Sequence, residues 1–231
     1  MKALVVIPTY NEKPNLTKLL PAIFDQKLGV DVLIVDDNSP DGTGQYVKDL
    51  AHSLYQRQLF LLAREGKQGL GKAYIAGFQW ALSRDYEIVI SMDADFSHPP
   101  KLLPDLLQNI EAHDEVIASR YISGGGVKNW PWLRRMISQG GNLYARFILK
   151  TPIKDLTGGY KCYRATLLQA ISLETLTTRG FAFQIEITYR TFKKGLKIKE
   201  IPFTFIDREI GSSKMSAFIF IEALWAVWRM R

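Results

Sequence analysis

The chain has 231 residues, 47% hydrophobic and 23% charged, with a formal net charge of +7; this composition supports a full apolar core and excludes a disordered or low-complexity chain. Its one cysteine, Cys162, excludes an internal disulfide and fits a reducing compartment. Residues 1–118 hold 11 Lys and Arg against 16 Asp and Glu, a net of −5, and residues 119–231 hold 19 against 7, a net of +12. The basic half suits an anionic membrane surface or phosphorylated ligands, and without a helix-turn-helix, zinc-finger or RNA-binding signature it does not suit nucleic acid.

In chain order, the opening residues Met1–Pro8 turn polar too soon for a signal peptide and read as a first strand. Apolar, β-rich runs predict strands over 3–7, 30–35, 59–63, 87–92 and 116–119, separated by helices near 14–26, 43–55, 70–84 and 100–112. Such alternation builds a mostly parallel sheet covered on both faces, an α/β nucleotide-binding architecture. Ligands of these sheets sit beyond the carboxyl ends of the strands. Polar clusters fall there: Pro8-Thr9-Tyr10-Asn11-Glu12, Asp36-Asp37-Asn38-Ser39-Pro40-Asp41-Gly42-Thr43 and Asp93-Ala94-Asp95. Gly124-Gly125-Gly126 reads as a flexible hinge.

Asp93 and Asp95 stand two apart where a buried strand emerges, so in extended chain both carboxylates face one side. That spacing suits a hard divalent cation that also takes phosphate oxygens, and equally a solvated strand-to-turn junction. Gly66-Lys67-Gln68-Gly69-Leu70-Gly71-Lys72-Ala73 nearly spells a P-loop, but Ala73 lacks the metal-binding hydroxyl and the segment follows the third strand rather than the first. A tight turn leading into a helix is the alternative. No dinucleotide fingerprint follows strand one. His98 and His113 have no metal-site spacing, and Asp155 and Glu186 suggest no role beyond fixing loops by hydrogen bonds.

These clusters, with Gly69-Leu70-Gly71-Lys72-Ala73-Tyr74, Asp93-Ala94-Asp95-Phe96-Ser97-His98-Pro99-Pro100, Ser119-Arg120-Tyr121, Asp155-Leu156-Thr157-Gly158-Gly159-Tyr160-Lys161, Gly180-Phe181-Ala182-Phe183-Gln184-Ile185-Glu186 and Arg208-Glu209-Ile210-Gly211-Ser212-Ser213-Lys214, together resemble polyprenol (dolichol) phosphate mannose synthases, inverting GT-A glycosyltransferases of family two. The resemblance covers nearly the whole chain. It implies a GT-A, Rossmann-like nucleotide-sugar-binding fold with amphipathic interface helices. It also implies transfer of mannose from GDP-mannose to polyprenyl or dolichyl phosphate. Pro8, Tyr10, Glu12, Val35 and Asp37 correspond to guanosine and ribose contacts, with Ala94 beside the metal pair. Asp93 and Asp95 correspond to ligands of Mg²⁺ or Mn²⁺. Ser97 falls at the family's third ligand position, and before Pro99-Pro100 it reads equally as a helix N-cap.

The resemblance further assigns Arg120, Arg134 and Ser138 to the acceptor phosphate, and Arg208 and Lys214 to a closing loop that grips the donor diphosphate. Arg134 and Ser138 are spaced i,i+4 and share a helix face. Trp130-Pro131-Trp132-Leu133 and the C-terminal run with Trp225 and Trp228 suit helices lying in a membrane interface, since the second falls short of the roughly 18 uncharged apolar residues of a spanning helix. The expected organisation is one domain over 1–231. Residues 1–118 form the donor half, 119–213 the acceptor half with an interface helix near 130–149, and 214–231 a C-terminal interface helix. The expected location is peripheral, on the cytoplasmic face of a membrane, with a membrane subunit as a possible further partner. Competing readings are a UDP-sugar-dependent transferase on the same frame, a P-loop-like nucleotide hydrolase, and a non-catalytic lipid-phosphate binding module.

Overall fold

A computed structural model describes residues 1–176, 182–206 and 217–231. The first part of the chain follows the expected alternation: β1 (Ala3–Thr9), α1 (Lys13–Phe24), β2 (Asp31–Asp36), α2 (Thr43–Ser53), β3 (Leu59–Ala63), α3 (Leu70–Leu82) and β4 (Ile88–Ser91). Next come a 3-10 turn (Pro100–Leu102), α4 (Leu103–Asn109), β5 (Glu115–Ser119), β6 (Gly126–Lys128) and α5 (Trp132–Leu149). The remainder is β7 (Lys161–Arg164), α6 (Ala165–Ala170), α7 (Ala182–Lys193), β8 (Ile198–Pro202), β9 (Thr204–Ile206) and α8 (Ala217–Met230).

The seven-stranded sheet has the order β3-β2-β1-β4-β7-β5-β8, and β6 pairs with β9 apart from it. Most neighbours are parallel, but β7 runs antiparallel to both β4 and β5. The period-two alternation of β1 distributes its side chains between two layers. Val5 and Ile7 pack with Leu16, Leu19, Leu20 and Ile23 of α1 and with Leu103 and Leu106 of α4. Leu4 and Val6 pack with Tyr74 and Phe78 of α3 and Phe183 and Ile187 of α7. Gly77 lets α3 settle on this face, since a Cβ there would lie 2.4 Å from Val6 Cγ1. A third cluster joins Ala145 and Ile148 of α5, Ile185 and Tyr189 of α7, and Val227 of α8.

Gly124-Gly125-Gly126 is not an open hinge. A Cβ on Gly125 would stand 2.5 Å from the Ser119 carbonyl oxygen, and Gly126 begins β6. The glycine is required by close backbone approach. Ser97 is not a helix cap either: Pro99 precedes the 3-10 turn, which has no side-chain cap, because the Ser97 hydroxyl is bonded to Asp95.

Candidate active site

The loops after β1 and β2 are stitched into one surface. Asp36 Oδ1 accepts from the hydroxyls of Thr9 (2.9 Å) and Ser39 (2.6 Å), and Ser39 Oγ in turn accepts the Asn11 N–H. Thr43 Oγ1 accepts the Glu12 N–H, and Asp41 Oδ2 accepts the Lys13 N–H. Asp36 is thereby spent on structure. Asp37, expected as a ribose or base contact, faces Arg64, which stands 2.8 Å from its Oδ1. Their N–H and oxygen are not aligned, so both atoms are buried without a hydrogen bond among the described residues. Burial raises the Asp37 pKa, with Arg64 opposing. Tyr10 lies under Lys67, whose Nζ is 4.9 Å from the ring centroid. Pro8, Tyr10 and Glu12 are half-buried at this surface. Val35 is different: its side chain is fully buried in the layer beneath α3, leaving only its backbone for a ligand.

Asp93 follows β4, half-buried, and its Oδ1 accepts the hydroxyl of Tyr74 at 2.9 Å. The Asp93 N–H donates to His98 Nδ1 at 2.9 Å, which puts the proton of the neutral ring on Nε2, 3.8 Å from Asp93 Oδ2. Burial lowers the His98 pKa, against the pull of Asp93 and Asp95, and the ring stacks on Tyr160 at 4.8 Å. Asp95 Oδ1 accepts both the N–H and the hydroxyl of Ser97. Ser97 therefore orients Asp95, and Ala94 between the aspartates is buried. Among the described residues no group of three His, Cys, Asp or Glu is placed to hold a metal ion. Two hard carboxylates with each Oδ1 fixed by a neutral donor nevertheless suit Mg²⁺ or Mn²⁺, which is commonly held by one or two carboxylates plus substrate phosphates.

Across the sheet, Arg120 leaves β5 and is buried against Asp155. Asp155 accepts from Arg120 N (2.9 Å), Nε (2.8 Å) and Nη2 (2.6 Å), and from Gly158 N (3.0 Å). Burial alone would raise the Asp155 pKa, but the Arg120 guanidinium outweighs it and holds the carboxyl below its ordinary range. Arg120, expected as a phosphate contact, thus has two of its nitrogens engaged by a carboxylate and by Thr157. On α5, Arg134 lies 4.2 Å from the Trp130 ring, and Arg120 faces the same ring at 5.9 Å. Ser138 Oγ accepts the Tyr121 hydroxyl at 2.7 Å. The three residues expected at the acceptor phosphate therefore gather around Trp130 and Tyr121. Trp130 Nε1 is buried without a hydrogen-bond partner among the described residues. Behind them Lys161 is fully buried, its Nζ donating to Gln184 O and Thr188 Oγ1, and desolvation lowers its pKa to about 8 against the pull of Glu115.

Arg208 and Lys214 lie outside the described residues. Sequence reasoning gave Tyr74, His98, Arg64 and Trp130 no part in the site. Tyr74 and His98 stand inside motifs with chemistry, and the signal that could have drawn attention to them was a polar tip in an otherwise core-like pattern.

A family model described as "Glycosyl transferase family 2" matches residues 4–172. An undecaprenyl-phosphate mannosyltransferase of Micrococcus luteus is 46% identical over 229 residues, 99% of this chain and 93% of that protein. A polyprenol monophosphomannose synthase of Mycolicibacterium smegmatis is 43% identical over 233 residues, 100% of this chain and 88% of that protein. Among solved structures, glucosyl-3-phosphoglycerate synthase of Mycobacterium tuberculosis, in complex with Mn²⁺, uridine diphosphate and its product, superposes with a TM-score of 0.71. It has 18% identity over 99% of this chain and 79% of the other, which shows the shared fold. With strand-end loops, carboxylate pair and full-length relatives in agreement, the chain belongs to glycosyl transferase family 2 and is a glycosyltransferase.

Proposed function

We propose that this chain transfers mannose from GDP-mannose to the phosphate of a polyprenyl lipid at a membrane surface, with inversion at the anomeric carbon. The observation that carries the reading is the run of rings between the two sides: His98, which accepts the Asp93 N–H, stands 6.4 Å from Phe205, and Phe205 stands 5.2 Å from the Trp130 ring that Arg134 covers, in a chain so similar to two polyprenyl-phosphate mannosyl enzymes. Asp37, braced by Arg64, binds ribose or base hydrogen-bonding groups, with Tyr10 and Glu12 beside it. Asp93 and Asp95 hold Mg²⁺ or Mn²⁺. When bound, that ion neutralises charge on the diphosphate leaving group.

Arg134 and Ser138, with Trp130 and the remaining edge of Arg120, hold the acceptor phosphate. A phosphomonoester with a second pKa of about 6 is largely dianionic at neutral pH, so its oxygen attacks without a general base. The new phosphate oxygen–C1 bond forms as the C1–oxygen bond to GDP breaks, and GDP leaves with the electron pair. Arg208 and Lys214 are assigned to the departing diphosphate. Catalysis rests on positioning and fixed charge.

No helix among the described residues is long and apolar enough to cross a membrane. Trp132, Met136, Leu143 and Phe147 of α5, with Trp225 and Trp228 of α8, are exposed and form the surface proposed to lie in the interface. The test is incubation with radiolabelled GDP-mannose, undecaprenyl phosphate and Mn²⁺, with UDP-glucose and UDP-N-acetylglucosamine in parallel. Metal-dependent mannolipid from GDP-mannose alone is expected. No mannolipid, or a product from a UDP-sugar only, overturns the proposal.

A further inference from the structure

The run of rings between the metal pair and Trp130 holds one residue to which the reaction has so far given no part. His98, bound to the Asp93 N–H, stacks on Tyr160 at 4.8 Å between centroids, and Tyr160 meets Phe203 edge-on at 6.2 Å. Phe205 of β9 joins this group to the acceptor side. Its centroid lies 6.4 Å from His98, 6.2 Å from Phe203 and 5.2 Å from Trp130, and the Arg120 guanidinium faces it at 5.9 Å. His98, Tyr160 and Phe203 are buried, so they form the backing of the cluster. Phe205 and Trp130 are half-buried and still present ring surface. Trp130 is covered by Arg134 at 4.2 Å. Phe205 pairs with Val127 of β6, and its strand neighbours Thr204 and Ile206 turn to the opposite face of that ribbon.

We infer that Phe205 is a wall of the subsite for the transferred sugar, whose C–H face rests on its ring. The inference deepens the proposed reaction and rests on it. In a single in-line displacement the anomeric carbon lies between a leaving oxygen on the Asp93–Asp95 side and an attacking oxygen on the Arg134–Ser138 side, with the attacking atom about 3–3.5 Å away. A ring that reaches from one of those sides to the other therefore flanks the sugar. A pyranose carries C–H bonds on one face, and an aromatic ring receives them as apolar surface without competing for the hydroxyls. An apolar wall at this point also keeps water from the anomeric carbon, which favours the acceptor phosphate over hydrolysis.

The experiment is calorimetry of the full chain with Mg²⁺, comparing GDP-mannose with GDP in wild type, Phe205→Leu and Phe205→Tyr. Phe205→Leu keeps apolar bulk but loses the flat face. It is expected to bind GDP-mannose about three- to ten-fold more weakly, the range of one aromatic stacking contact, with GDP unchanged. Phe205→Tyr keeps the ring and is expected to stay within about two-fold of wild type on both. Equal losses for GDP and GDP-mannose, or no loss for either, overturn the inference. So does a raised acceptor KM with unchanged GDP-mannose affinity, which would make Phe205 a prop for Trp130. A measurement on wild type covers a leucine variant that does not fold. With the protein's aromatic protons saturated, saturation should pass to the C–H protons of the bound sugar, and sugar protons left unsaturated overturn the wall. If wild type binds a UDP-sugar in place of GDP-mannose, the proposed donor falls, and the same comparison against UDP decides the role of the ring.

Discussion

Tyr74→Phe removes one hydroxyl, and its effects on stability and on catalysis separate. The ring keeps its neighbours, with Phe78 at 5.8 Å and Phe183 at 6.2 Å between centroids. The lost hydrogen bond runs 2.9 Å to a half-buried carboxylate that water can reach, so the net stability cost is about 1 kcal/mol. For a chain of this length that is a fall in Tm of about 2–4 °C. At the site the bond fixes Asp93, and loss of such an orienting partner costs about 10–100-fold in metal affinity or activity. The assay is Mn²⁺ titration of mannolipid formation in detergent, with Tm measured on the same preparation. Half-saturating Mn²⁺ is expected to rise about ten-fold or more, with the acceptor KM unchanged. A folded variant whose Mn²⁺ dependence and turnover stay within about two-fold of wild type would refute the assignment of Tyr74 as the residue that positions the metal pair.

Asp155→Asn breaks a buried pair and should cost about 3–5 kcal/mol near neutral pH. Because the folded pKa of Asp155 is depressed, its contribution is present above the unfolded value of about 3.9 and is lost as pH falls through the folded value. In urea melts the gap between wild type and variant should therefore begin to narrow as pH falls below about 4 and close only below the folded value, and a gap that does not narrow below about pH 4 contradicts the linkage. Gly77→Ala sets an overpacking cost of about 1–3 kcal/mol against a gain in helix propensity of about 1 kcal/mol. With a Cβ 2.4 Å from Val6 Cγ1, overpacking should win and Tm should fall; an unchanged or higher Tm would show that the layer relaxes. Arg134→Ala should raise the acceptor KM by at least about ten-fold, as loss of a charge-assisted contact does. Donor affinity measured by calorimetry should hold, and equal loss of both would remove the division between donor and acceptor sides.

The strand-helix alternation up to β4 is legible in the sequence because each element there is decided locally. β1 is a continuous apolar run, α3 is entered through its N-cap Gly69 with a φ of 101°, and the carboxylates fall at strand ends. The part after β5 is less so. β7 is four residues of mixed character, Lys161–Arg164, and becomes a strand only because β4 and β5 offer edges on both sides. The Arg120–Asp155 pair joins positions 35 apart, so sequence showed a cation and a carboxylate without showing that each occupies the other. Loop fixing by hydrogen bonds was the one role sequence left for Asp155, and the structure gives it that role. His98 has no metal-site spacing, and its contact is a backbone N–H, which no side-chain pattern records.

The reversed strand β7 has a consequence for how such an enzyme changes. It is the seam of the sheet: β3, β2, β1 and β4 lie on one side, β5 and β8 on the other. Neither group hydrogen-bonds the other directly within the ladder. The β5–β8 side can therefore drift, lengthen or be exchanged while the β3-β2-β1-β4 side keeps its register, provided β7 and its lead-in Asp155–Tyr160 are retained. Substitutions on β7 itself are felt on both sides at once, which makes those few residues the least free in the chain and the natural place to cut a chimera on either flank rather than through the middle.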